Sequence, residues 1–230
     1  MSARQDIHMH YSLTIRTLAL GLSLLAAVPL GMTGCATASI AMKERLGYAK
    51  REQLVDGVQK ARDAQEDAKE QFTSALEEFI AVTQVEAGEL EATYARLNAA
   101  YESSKKRADK VRGRITSVER VANALFKEWE AELNEYSSET LRASSRQQLD
   151  ATRMQYNDLL RAMKKAESTM DPVLEAFADQ VLFLKHNLNA RAIASLEGTV
   201  GKLEAEIESL IRDMEASIAE ANAFIDSMGS

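Results

Sequence analysis

Apolar side chains recur three and four residues apart, almost without interruption, from Leu54 to Ile225. A chain patterned this way has few options. Each recurrence places an apolar residue on one stripe of a helix, and a stripe that long must be buried against other helices. The first run reads Leu54, Val58, Ala61, Gln65, Ala68, Phe72, Ala75, Phe79, Val82, and it breaks at Glu86-Ala87-Gly88-Glu89, where Gly88 suits a left-handed helix cap. The second runs from Leu90 through Tyr94, Leu97, Tyr101, Ser104, Ala108, Val111 and Ile115 to Val118, Ala122, Leu125, Trp129 and Leu133, with Ser104 its one polar position. Ser137 or Ser138 then offers an N-cap. The third reads Leu141, Ser145, Leu149, Thr152, Tyr156, Leu159, Met163, Ala166, Met170.

Asp171-Pro172 is a helix-start signal, Asp as cap and Pro as first helical residue. Yet the stripe passes through it to Val173, Phe177, Val181, Leu184 and Leu188. The expectation is a kink or a sharp restart there, with a second break at Asn187-Leu188-Asn189. The last run reads Leu196, Val200, Leu203, Ile207, Leu210, Met214, Ile218, Ala221, Ile225. Connections of about four residues between long helices make neighbours antiparallel. No segment alternates apolar and polar residues in the manner of a strand. The fold class is therefore all-α, an elongated antiparallel helical bundle or coiled coil of three to four long helices over residues 50–228.

The first 34 residues obey different rules. Arg4 and Arg16 precede the apolar run Leu18–Leu30, 13 residues, too short for the ~20 that span a bilayer. Leu30-Gly31-Met32-Thr33-Gly34-Cys35-Ala36 follows, which resembles a bacterial lipoprotein signal, although Met32 stands where Leu is usual. The resemblance implies cleavage before Cys35, the sole cysteine, and a covalent lipid on it. Residues 35–49 become the lipidated N-terminus and tether. Ala36 after the cysteine implies the periplasmic face of the outer membrane over the inner one.

Losing Arg4, Arg16 and Asp6 with the leader moves the net charge from −7 to about −8. Such a balance disfavours nucleic acid, whose binding needs clustered cations, and broad adhesion to anionic membrane. With Cys35 lipidated no internal disulfide is available. Chemistry is equally thin. His186 is the only histidine after the leader, and a zinc site needs three or four His, Cys or carboxylate ligands. No Glu-x-x-His, His-Glu-x-x-His, Gly-x-Ser-x-Gly or phosphate-loop pattern occurs. Glu77-Glu78 and Glu204, Glu206 and Glu208 read as solvated helix faces. The expectation is a non-enzyme with no cofactor beyond the lipid on Cys35.

One segment stands apart. Val181-Leu182-Phe183-Leu184 is apolar on nearly every side, and a polar cluster follows it. Helices apolar all round are buried or occupy an interface. The segment reads first as the most enclosed layer of the bundle, and second as a docking surface for a partner or a second copy, built from Phe183, Lys185, His186, Asn187, Asn189 and Arg191. Trp129 and Tyr136 carry the same ambiguity.

The strings Arg62–Phe72 and Phe183–Ile193 resemble a family of proteobacterial proteins that carries only a "domain of unknown function" label, many of them predicted lipoproteins, and the likeness runs from about Tyr48 to Ile225. It implies an all-helical lipoprotein and no particular activity. The functional expectation is a lipid-anchored periplasmic scaffold or adaptor for a partner complex. The alternative is a bundle that carries a lipid or small apolar ligand between its helices. Membrane bending ranks last, for want of a basic face.

Overall fold

The computed structural model describes residues 49–84, 89–187 and 189–229. Cys35, the leader, the tether up to residue 48, Gly88 and Leu188 lie outside the described residues. Within them are four helices and no strand: α1 Lys50–Val82, α2 Leu90–Glu132, α3 Glu139–His186 and α4 Ala190–Gly229. At ~1.5 Å per residue they measure roughly 50, 65, 72 and 60 Å. Sequential neighbours pack together and α4 closes back on α1, so the helices form a ring in which α2 stands diagonal to α4.

Cross-helix bonds set the register. Lys50 pairs with Glu128 at 2.7 Å and Glu78 with Arg96 at 3.5 Å, so α1 and α2 run antiparallel. Glu130–Arg153 and Glu119–Lys164 do the same for α2 and α3, and Lys165–Asp213 and Gln155–Ser227 for α3 and α4. Arg51 donates to the Met228 carbonyl at 2.6 Å and Arg62 to Asn222 at 3.0 Å, closing the ring.

The interior is the expected stripe. All nine positions of the first run are buried, with Ala61, Ala68 and Ala75 at 0–1% exposure letting α1 approach its neighbours closely. Aromatic layers fill the wider space: Phe79 against Phe177 at 5.8 Å, and Tyr156 between Phe126 at 5.4 Å and Phe224 at 6.5 Å. Among the polar side chains that sit fully inside, two meet across α1 and α4: Ser217 donates to Gln65 Oε1 at 2.9 Å, and Gln65 Nε2 has no partner.

Two expectations are corrected and a third is narrowed. Of the kink or sharp restart expected at Pro172, no restart occurs; α3 is continuous through it. Met170, Val173, Leu174 and Phe177 are all buried on its core side, while Pro172 and Ser168, whose carbonyl loses its donor, are exposed, so the missing bond falls on the outer side of the helix. Leu141, expected in the core, is 58% exposed. The register puts the first turns of α3 beyond the start of α1 and the end of α4, leaving, among the described residues, α2 and the turn after it to pack on. In α4 the buried column is Leu203, Leu210, Ser217, Phe224, so Ser217 takes the place expected for Ile218, which is only half-buried, as is Ile225 beside Phe224. Of the two candidate caps, Ser138 is used, accepting from the Leu141 amide at 3.4 Å.

Candidate functional site

The α3–α4 hairpin forms the end of the bundle farthest from Lys50. Helix α1 stops three residues after Phe79, whereas α3 continues nine residues past Phe177, its partner in that layer. The hairpin therefore projects by roughly 10 Å. Phe183 lies about 50 Å from the start of α1 by the same measure.

The turn is built by its two asparagines. Asn187 caps α3 with φ −133° and ψ 57°. Its backbone N–H donates to the Leu184 carbonyl at 3.2 Å and its side-chain amide to the Phe183 carbonyl at 2.9 Å. Two carbonyls that a helix C-terminus leaves open are thereby satisfied. The Asn189 amide donates to the Asn187 carbonyl at 2.8 Å, and the Asn189 carbonyl accepts from Ile193 at 3.4 Å, which starts α4. Lys185 and His186 occupy the last turn of α3, where positive charge complements the helix dipole.

The segment is not the enclosed layer. Val181 and Leu184 point inward at 6% and 0% exposure, but Leu182 is 56% and Phe183 39% exposed. Leu182 lies one heptad after the exposed Glu175 on the outward face of α3, and Phe183 one heptad after the half-buried Ala176. Phe183, Lys185, His186 and Asn189 share an exposed tip with a half-buried Asn187; Arg191 belongs to the same hairpin by sequence. Leu182 is a member that the stripe alone did not single out, and it contributes as much apolar surface as Phe183. Burying both would remove on the order of 150–200 Å² of apolar area, roughly 4–5 kcal/mol.

At the other end, Trp129 donates its indole N–H to Ser145 Oγ at 2.9 Å, and Arg142 donates to the Tyr136 carbonyl at 2.7 Å. These groups tie the α2–α3 turn together and lean on the core, so their role is packing. The grooves along the rod are shallow and charged; one between α3 and α4 is lined by Asp158, Arg161, Lys165, Asp213 and Glu220. Burial pushes the Asp213 carboxyl up, but hydrogen bonds from Lys165 and Thr169 outweigh it and hold the group below its ordinary range. Asp67 is held low by its hydrogen bond from Lys110, with Arg107 adding charge. These are structural ion pairs. Among the described residues, no three His, Cys, Asp or Glu gather as metal ligands, and no helix is long and apolar enough to cross a membrane.

What the tip offers is an apolar pair bordered by cations and amide groups, a combination suited to contact with another macromolecule. No curated protein and no solved structure matches the chain. The model of the family described as "Protein of unknown function (DUF2959)" matches residues 40–228, and the chain belongs to that family.

Proposed function

We propose that this chain is a non-enzymatic adaptor of a bacterial envelope, held at the periplasmic face of the outer membrane by lipid on Cys35 and presenting the α3–α4 tip to a partner protein. The observation that carries the reading is the placement of Leu182 and Phe183. They are the exposed apolar pair at the end of the rod opposite Lys50, where the tether would enter. A stiff bundle of about 50 Å converts a membrane address into a contact made at a distance.

A photo-crosslinker introduced at Asn187 in intact cells tests this. The expected result is a discrete adduct that disappears when Leu182→Asp and Phe183→Asp are combined, with helicity unchanged. Cys35→Ala is expected to release the protein from the membrane fraction and to abolish the adduct. A protein that yields no adduct at Asn187, or one whose adduct survives both sets of changes, would overturn the reading.

A further inference from the structure

The fold sorts charge in a way that the net value conceals. Along the 23 residues of α2 from Lys105 to Lys127, eight cations (Lys105, Lys106, Arg107, Lys110, Arg112, Arg114, Arg120, Lys127) face two carboxylates, Asp109 and Glu119, in a chain of net charge −7. Lys106, Lys110, Arg114 and Arg120 are exposed on the outer side of the helix, away from the buried column Ala108, Val111, Ile115, Val118. Among the described residues, only Lys110 of these four makes an intramolecular ion pair, with Asp67.

The opposite side is its complement. Helix α1 carries eight carboxylates against five cations and α4 eight against three. Glu66, Glu70 and Glu77, at spacings of four and seven, form one exposed stripe on α1; Glu204, Glu208 and Glu215 form another on α4. The two stripes flank the α1–α4 seam, which Lys69–Glu215 and Arg62–Asn222 cross. Because α2 is diagonal to α4, the ridge stands away from the α4 stripe; on α1 it reaches Asp67 through Lys110, and among the described residues no ion pair joins it to Glu66, Glu70 or Glu77.

Like charges four residues apart, Lys106 with Lys110, Lys110 with Arg114, or Glu66 with Glu70, weaken the helix that bears them. Such stacking does nothing for the fold and is relieved by an opposite surface brought from outside. We propose that this surface is a second copy of the chain: the α2 ridge of one molecule docks laterally on the α1–α4 acidic face of the next. The contact is heterologous, the ridge on one side and the stripes on the other, so each molecule keeps one free face of each kind and association continues into rows. Exposed charge pairs contribute little each and are screened within about 10 Å at 0.1 M salt, so the contact is weak, additive and salt-sensitive.

Sedimentation of the full chain in non-ionic detergent, at about 20 mM and about 500 mM salt, tests the proposal. Wild type is expected to gain mass with concentration at low salt and to return to monomer at high salt. The ridge variant K106Q/R114Q/R120Q and the stripe variant E66Q/E70Q/E204Q should each stay monomeric alone, with unchanged circular dichroism. Mixed, they should form a one-to-one dimer and stop there, because each supplies the face that the other lacks. A wild type monomeric at low salt overturns the proposal. So does association that neither variant weakens, and so does binding to anionic vesicles through the ridge by a protein that stays monomeric, which would assign the ridge to a lipid surface instead.

Discussion

Replacing Gln65 with leucine should make the bundle more stable, although it deletes a buried hydrogen bond. Gln65 and Ser217 are both fully buried, and the only bond between them is Ser217 Oγ to Gln65 Oε1 at 2.9 Å. That bond contributes about 0.5–1.5 kcal/mol. The Gln65 amide nitrogen has no partner, and a buried unmatched donor costs about 1–3 kcal/mol. Leucine is close to glutamine in volume, so the change removes the unmatched donor without opening a cavity. Ser217 can then turn its hydroxyl to the carbonyl of Asp213, four residues earlier in α4. The expected gain is about 1–2 kcal/mol, read as a higher urea midpoint at constant m and a melting temperature raised by about 2–4 °C per kcal/mol. Ser217→Ala should act oppositely, stripping the amide of its one partner at a cost of about 1–3 kcal/mol. A loss of about 1 kcal/mol or more in Gln65→Leu would refute the reasoning, since the amide would then contribute more than it costs. A polar residue at one seam position commonly fixes register at the expense of stability. Gln65→Leu with Ser217→Ala should therefore let α1 and α4 slip. Disulfide trapping would show it: cysteines at positions 62 and 222 should form the dominant pair only while Gln65 and Ser217 are present.

Other perturbations are expected to behave as follows. Pro172→Ala should stabilise α3 by about 1–3 kcal/mol by restoring the donor for the Ser168 carbonyl; an unchanged urea midpoint would mean that the helix gains nothing from that bond. Ser138→Ala should cost about 0.5–1 kcal/mol, the low end for an N-cap because its bond is long, and thermal melts can resolve that. Alkaline pH should weaken the bundle: Tyr156 is pushed up to about 12 by burial and then by Glu119, so the unfolded chain ionises near pH 10 while the folded one stays neutral, and about 2–3 kcal/mol disappears between pH 10 and 12. Lys164 acts in the same direction: burial pulls it down, hydrogen bonds to Glu167 and Glu119 reverse that, and the stabilisation it brings below its ordinary value is lost above it. Equal urea midpoints at pH 9 and 11.5 would contradict both. Asp67 and Asp213, held low in the fold, stabilise above the ordinary carboxylate range, and that contribution should fade as pH falls through their lowered values.

The helices were legible because burial follows a period that the residues themselves display. Each position of the first run, and most of the second, is where spacing alone places it. What spacing misplaced depends on tertiary neighbours. Ile218 is the more apolar choice beside Ser217, but α4 keeps its strict heptad and buries the serine, because Gln65 waits across the α1 interface. That pairing links positions 152 residues apart and leaves no local trace. Leu141 has an apolar side chain and core-like spacing, and it lies outside because the helices differ in length; Leu182 and Phe183 fall between the stripe positions Val181 and Leu184. Unequal ends are a property of the assembled ring, and no single helix records them. Pro172 carries a start signal that the stripe on either side overrides. The run of cations from Lys105 to Lys127 is visible in the chain itself, and its separation from the α4 stripe appears once α2 is known to stand across from α4.

An even number of antiparallel helices also decides where the chain comes back to. Met228 accepts a hydrogen bond from Arg51, so the end of α4 lies beside the first turn of α1 and about 50 Å from Phe183. A label placed at Gly229 would sit at the root of the rod. It would leave the tip free to bind, and it would report the position of the root. A label meant to follow the tip belongs on the turn at Asn187, and two labels, one at each place, would make the rod a ruler for whatever it spans.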